Sequence, residues 1–206
     1  MKIKRKIRED PCFLVQSTDP TLLMYTSGTT GYPKGVLLSH SNLIAAGSNV
    51  HKAHNLTTSD IAMCVLPIYH INGLCVTIIG TIVSAGQLVM PFKFSLSKFW
   101  YDIERYSCTW FSAVPTLFSY LLNDKTAVFT KRPELKFARS ASAPLSPDIH
   151  ARFEKRFSVP IIETMGLTET GAQILSNPMP PEQRKIGSPG KPVGNEIRIG
   201  DYNQKP

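Results

Sequence analysis

A chain of 206 residues with 42% hydrophobic content is long enough to bury one sizeable core, and it lacks the composition of a disordered, collagenous or repeat protein. Its formal net charge of +8 suits an anionic partner such as a phosphate or nucleotide, or equally a solvated basic surface. Part of the excess sits at Lys2, Lys4, Arg5, Lys6 and Arg8; no apolar run follows, so a secretory signal is not expected, and Glu9 and Asp10 argue against a mitochondrial leader.

In chain order, Leu22 to Thr26 reads as a strand, followed by a glycine-rich loop and a short strand at Val36 to Ser39. Ser39 or Ser41 caps a helix through about His51, and Ile61 to Leu66 is a second, buried strand. Ile71 to Ala85 is strongly apolar but too short and too broken, by Asn72, Gly73 and Gly80, for a membrane span; it reads as a buried core helix. Gln87 to Met90 is a strand, and Leu96, Phe99, Trp100 and Ile103 give helical spacing within Ser95 to Tyr106. Cys108 to Ala113 is strand-like, Pro115 opens a short helix, and Leu135 to Ala141 is a strand. Pro147 opens the helix through Phe157, Val159 to Glu163 is a strand, and Glu196 to Ile199 is read as another. The proline- and glycine-rich stretch from Asn177 to Pro192 suggests a surface loop. This alternation predicts an α/β fold with a largely parallel sheet flanked by helices, in which ligands gather where strands end in loops. The four cysteines, Cys12, Cys64, Cys75 and Cys108, form no C-x-x-C pair and read as mostly buried free thiols in a reducing cytoplasm.

The most informative segment is Tyr25-Thr26-Ser27-Gly28-Thr29-Thr30-Gly31-Tyr32-Pro33-Lys34-Gly35-Val36. Glycines let backbone N–H groups approach an anion, hydroxyls donate to phosphate oxygens, and Lys34 adds a charge that can follow a moving phosphate. It is not a Walker loop, because two residues separate Gly31 from Lys34 and a strand follows where that motif has a helix. A hydroxyl-rich flap that closes on phosphates fits better than a plain hairpin.

This segment resembles the T-S-G-[ST]-T-G-x-P-K loop of the AMP-forming adenylate synthetases, the superfamily of acyl-CoA ligases, luciferases and peptide-synthetase adenylation domains. Further stations follow in the family's order. Pro67-Ile68-Tyr69-His70-Ile71-Asn72-Gly73-Leu74 looks like P-x-x-H-x-x-G-L, and Ser140-Ala141-Ser142-Ala143-Pro144-Leu145 is similar to S-G-[AG]-A-P-L, with Ala141 where glycine is usual. Glu163-Thr164-Met165-Gly166-Leu167-Thr168-Glu169 resembles x-x-Y-G-x-T-E, with Met165 where tyrosine is frequent. Gly187 to Pro192 is similar to G-S-x-G-x-P.

The resemblance implies the central part of the large N-terminal domain of the acyl-CoA synthetase fold. It implies that Thr26, Ser27, Gly28, Thr29, Thr30, Gly31 and Lys34 hold the β and γ phosphates of ATP, and that Ala143, Glu163, Thr164 and Met165 flank the nucleotide. Thr168 would bond the α-phosphate and Glu169 would hold Mg²⁺, making Lys34, Thr168 and Glu169 the catalytic set. His70, Ala141, Ser142 and Gly166 would border the acyl pocket, with Ala141 narrowing it. The implied chemistry is ATP-dependent activation of a carboxylic acid, fatty or aryl, to an acyl adenylate, then transfer to coenzyme A. The alternatives are a domain that loads a carrier protein and a non-catalytic nucleotide-binding remnant. No basic-aromatic module points to nucleic acid. Relatives continue past the equivalent of Pro206 to a ribose-gripping aspartate, a hinge and a small C-terminal domain with a catalytic lysine. Residues 1–18 are therefore expected to be a basic segment and 19–206 a partial adenylation domain without that small domain. Missing neighbours would expose edge strands and apolar surface, so self-association is expected.

Overall fold

The computed structural model describes residues 14–27, 32–125 and 134–200; Cys12, Gly28, Thr29, Thr30 and Gly31 lie outside the described residues. Strands β1 (Pro20–Thr26) and β2 (Lys34–Ser39) pair antiparallel in a sheet of their own, with Thr26 opposite Lys34 across the base of the hydroxyl-rich loop. Ser39 rather than Ser41 caps the helix that follows, α1 (His40–Ala53). Its hydroxyl accepts from the Asn42 N–H, and the Asn42 side chain accepts from the Ser39 N–H.

The main sheet contains β3 (Ile61–Cys64), β4 (Gln87–Val89), β5 (Trp110–Ala113), β6 (Phe137–Ser140), β7 (Ile161–Leu167), β8 (Ala172–Ser176) and β9 (Lys191–Pro192). Its order is β4-β3-β5-β6-β7-β8-β9; the pairs from β4 to β7 are parallel, and β8 and β9 add an antiparallel edge. Successive strand residues point to opposite faces. Met63, Phe111, Ala138 and Ile161 enter one core, while Ala62, Trp110, Phe137 and Ile162 enter the other. The first core is closed by α3 (Leu96–Arg105), α4 (Pro115–Asn123) and α5 (Pro147–Phe157), through Phe99, Phe118, Phe153 and Phe157 among others. The second is closed by Ala46 and Val50 of α1 and by Cys75 and Val76 of the helix after β3. Burial on both faces is why these strands read as continuous apolar runs.

The structure corrects the sequence reading in three places. The apolar stretch after β3 is buried as expected but winds as a π-helix over Asn72–Ile79 before becoming α2 (Gly80–Val83). β7 runs on through Met165 and Gly166 and turns back into β8, a hairpin that the sequence reading lacked. Glu196–Ile199 is not a strand: Ile199 is exposed, and no described strand lies beside it to supply a ladder. The stretch from Asn177 to Pro192 is a surface loop as expected, without helix or strand until β9, and it is pinned at its start: buried Asn177 accepts from Lys185 N–H (2.9 Å) and donates to Ser188 O (2.6 Å).

Candidate functional site

The turn after β6 and the length of β7 lie side by side at one edge of the parallel strands, and between them is a cavity of about 310 Å³. Its walls contain Ser142, Ala143, Glu163, Thr164, Met165 and Gly166, all singled out by sequence, together with Ser140 and the Gly187–Pro189 segment. Two devices fix this wall. Where the β7–β8 register shifts, a Cβ on Gly166 would stand 1.9 Å from the Ala172 carbonyl oxygen, so only glycine fits. Ser142 holds a left-handed backbone at φ 75°, unusual for a residue with a side chain, and its Oγ accepts from Asn72 Nδ2 (3.2 Å).

Glu163 is buried and its carboxylate is already engaged. Oε1 accepts from the Gly187 N–H (2.8 Å) and faces His150 Nδ1 (3.0 Å), while His150 Nε2 faces Glu154 Oε1 (3.0 Å). Burial alone would raise the Glu154 carboxyl, but hydrogen bonds from His150, Arg184 and the Ile161 N–H hold it down at about 2. The chain Glu163–His150–Glu154–Arg184 thus ties α5 and the 180s segment to the base of β7. Glu163 therefore shapes the cavity as a brace, through the position of Gly187.

Beyond β7, Thr168, Glu169 and Thr170 form a single 3-10 turn closed by Gly171 at φ 69°. The Thr170 hydroxyl accepts from the Leu167 N–H (3.0 Å) and donates to Ala172 O (2.9 Å), which sets the turn; Thr168 is half-buried and Glu169 exposed. The turn lies against the start of α1: a Cβ on Gly171 would stand 3.8 Å from Asn42 O. Because β2 feeds directly into α1, the hairpin bearing Lys34 and the turn bearing Glu169 are joined through one helix start. Lys34 and Glu169 are both exposed, and neither makes an ion pair or side-chain hydrogen bond with a described residue. A single free carboxylate suits Mg²⁺ that takes its other ligands from phosphates and water. Among the described residues no group of three or more His, Cys, Asp or Glu could hold a metal ion.

Other expected residues stand apart. Thr26 is half-buried and Ser27 exposed, both on the hairpin. His70 is exposed, its ring is tilted against that of Tyr69 (centroids 4.7 Å apart), and it does not line the cavity; Ala141 is buried and does not line it either. The bend that carries His70 is tight, since a Cβ on Gly73 would fall 2.4 Å from Pro67 O. Sequence reasoning missed His150 and a buried polar cluster around Arg139. A lone arginine inside the apolar strand Phe137–Ser140 was the available signal for that cluster.

Comparison with known proteins gives a family match, described as AMP-binding enzyme, over residues 3–206. The chain is 52% identical over 192 residues to a sulfoacetate–CoA ligase of Cupriavidus necator, covering 93% of this chain and 37% of that protein. It is 40% identical over 186 residues to an oxalate–CoA ligase of Arabidopsis thaliana, covering 88% and 36%. Among solved structures it resembles O-succinylbenzoate coenzyme A synthetase from Bacillus subtilis in complex with ATP and magnesium ion, with a TM-score of 0.81 at 28% identity, covering 92% of this chain and 39% of that one. The chain therefore spans a little over a third of the length of these relatives.

Proposed function

The chain belongs to the AMP-binding enzyme family, and we propose that it carries the nucleotide site of an ATP-dependent acid–thiol ligase. The observation that carries this reading is the strand-end cavity bounded by Ser142–Ala143 and Thr164–Gly166; it is supported by the Thr168–Glu169 turn that continues β7 and by the Lys34 hairpin, whose second strand runs into the helix whose start that turn lies against.

In this reading the cavity receives the base and sugar, and the phosphates extend past Thr168 toward Lys34. A carboxylate oxygen of the acid attacks the α-phosphorus, the bond from that phosphorus to the bridging oxygen breaks, and pyrophosphate leaves with the electron pair. The thiol sulfur of coenzyme A then attacks the acyl carbon, AMP departs with the electron pair of the acyl–oxygen bond, and the thiol proton is released to solvent. Anion must meet anion in the first step, so the protein's contribution is charge neutralisation and alignment. Thr168 donates to the α-phosphate, and Lys34, with the hydroxyls of Thr26 and Ser27, stabilises the departing pyrophosphate. Bound by Glu169, Mg²⁺ would supply Lewis-acid neutralisation of the phosphate oxygens.

Coenzyme A as acceptor is supported by the names of the relatives; carrier-protein loading uses the same first step. Residues 19–206 are assigned to the adenylation domain and 1–18 to a basic lead-in. Buried free thiols at Cys64, Cys75 and Cys108 fit a reducing cytoplasm, and no helix among the described residues is long and apolar enough to cross a membrane.

The test is ATP–pyrophosphate exchange with Mg²⁺ and a panel of acids. Acid-dependent exchange is expected, and it should disappear in Lys34→Ala and Glu169→Ala. ATP binding without exchange for any acid would leave a nucleotide-binding chain that does not form adenylates.

A further inference from the structure

Arg139 is 1% exposed, on the face of β6 that meets α1 and the π-helix. Its Nε donates to Gln173 Oε1 (2.9 Å), and its Nη1 donates to Asn72 Oδ1 (2.9 Å) and Ser112 Oγ (3.0 Å). All three partners are neutral. No carboxylate among the described residues pairs with it; the carboxylates in ion pairs serve Lys136, His150, Arg152 and Arg184. The nearby ring of His54 is no counter-ion either. Burial, and then the charge of Arg139, push its pKa down to about 3, so it is neutral at physiological pH. Arg139 itself is lowered by burial to about 9 and keeps its proton. A buried guanidinium without an anion is an expensive arrangement, and natural cores seldom retain one without a use.

The cluster also has more donors than acceptors. A guanidinium has five N–H groups, and those of Nη2 reach no described acceptor. The amide nitrogen of Gln173, which is 1% exposed, has no partner. Both shortages call for an acceptor rich in lone pairs.

The cluster adjoins the cavity through a single residue. Asn72 accepts from Arg139 and donates through Nδ2 to Ser142 Oγ (3.2 Å), and Ser142 is the exposed corner that also borders the cavity. From the corner to the buried cation is a path of two hydrogen bonds, Ser142 to Asn72 to Arg139. Gln173 is held from the other side, paired across the β7–β8 ladder with cavity-lining Gly166. One turn therefore has the nucleotide cavity on one side and a buried, uncompensated cation on the other.

We infer that the acid activated by this chain is short and carries a second anionic group, a carboxylate or sulfonate, and that Arg139, flanked by Asn72 and Ser142, is the residue that selects it. The inference rests on the adenylate-forming reading, which puts the reacting carboxylate at this turn beside the α-phosphate. A second anion one or two carbons further on supplies the missing counter-charge, and charge-assisted hydrogen bonds from Nη2 fix its direction. Arginine suits the task because its planar fork matches a carboxylate or sulfonate. An alkyl chain at the same place would leave the cation unpaired, so the fatty or aryl acid expected from the family resemblance is disfavoured here.

The experiment is calorimetric titration of the chain, saturated with AMP and Mg²⁺, with malonate, oxalate and sulfoacetate against acetate, propionate and hexanoate. The doubly anionic acids should bind at least about tenfold more tightly than the monoanions, a factor worth one decade in Kd, and comparing malonate with sulfoacetate tells which second anion is preferred. Arg139→Met should erase the preference while AMP still binds, and Arg139→Lys should retain part of it. If Arg139→Met does not fold, Asn72→Ala should reduce the preference in its place. Equal affinity for both classes, preference for monoanions, or no acid binding by AMP-loaded protein would overturn the inference. Failure to bind AMP would instead overturn the nucleotide reading, and this inference with it.

Discussion

At the scale of single residues, the site is held by buried groups whose ionisation is set by their surroundings. His54 is 2% exposed; its Nε2 donates to Gln173 Oε1 (3.2 Å), and its ring stacks on Phe137 at 5.1 Å. Its pKa is about 3 when folded against 6.5 for the free side chain. Between those values the unfolded chain takes up a proton that the folded chain refuses, so stability is full above pH 6.5 and falls as pH drops. The slope approaches about 1.4 kcal/mol per pH unit. Urea denaturation between pH 7 and pH 5 should show this slope, and His54→Leu should flatten it. Glu154 acts lower on the scale: with its pKa held at about 2 against 4.5, it contributes stability that is lost only as pH falls from 4.5 toward 2. An unchanged slope in His54→Leu would mean that the ring takes up its proton in the folded protein.

At the scale of elements, the fold depends on a few positions where local chemistry and long-range packing agree. The Ser39–Asn42 capping box starts α1, and Ser39→Ala should cost about 1 kcal/mol in chemical denaturation. Gly166→Ala faces the Ala172 carbonyl itself, so the β7–β8 hairpin must open at that point. That substitution should cost at least about 2 kcal/mol and should also weaken nucleotide binding, because the hairpin carries both the cavity wall and the Glu169 turn. Weakened stability with nucleotide affinity intact would separate the hairpin from the site. The parallel strands were legible in the sequence because Ile61 to Leu66, Cys108 to Ala113 and Leu135 to Ala141 are buried on both faces. The β7–β8 hairpin was not, because its turn is closed by the Thr170 hydroxyl and Gly171 within a motif read for its chemistry. The Arg139 cluster was hidden for a different reason: its bonds to Asn72 and Gln173 span 67 and 34 residues, beyond any local pattern.

At the scale of the whole molecule, two apolar cores on opposite faces of one sheet make the fold. Phe153 is fully buried, edge-on to Phe118 at 5.0 Å and 4.7 Å from Phe157. Phe153→Ala should therefore cost about 3–5 kcal/mol. The β1–β2 hairpin contrasts with this interior: Leu23, Tyr25 and Leu37 are exposed on a two-stranded sheet that pairs with no other described strand. An apolar, two-stranded surface of this kind favours association. Sedimentation velocity should show concentration-dependent self-association of the chain, reduced in Leu23→Lys with Leu37→Lys. A single monomeric boundary at all concentrations would refute it.

The claim that joins these scales is that the Lys34 hairpin and the Glu169 turn, linked through the start of α1, form one site for ATP. The most direct measurement is equilibrium binding of ATP with Mg²⁺ to the chain and to Lys34→Ala and Glu169→Ala. The expected result is binding by the parent chain, weakened at least about tenfold in each variant, with unchanged folding by circular dichroism. ATP binding that both variants retain at full strength, or no binding by a folded parent chain, would contradict it.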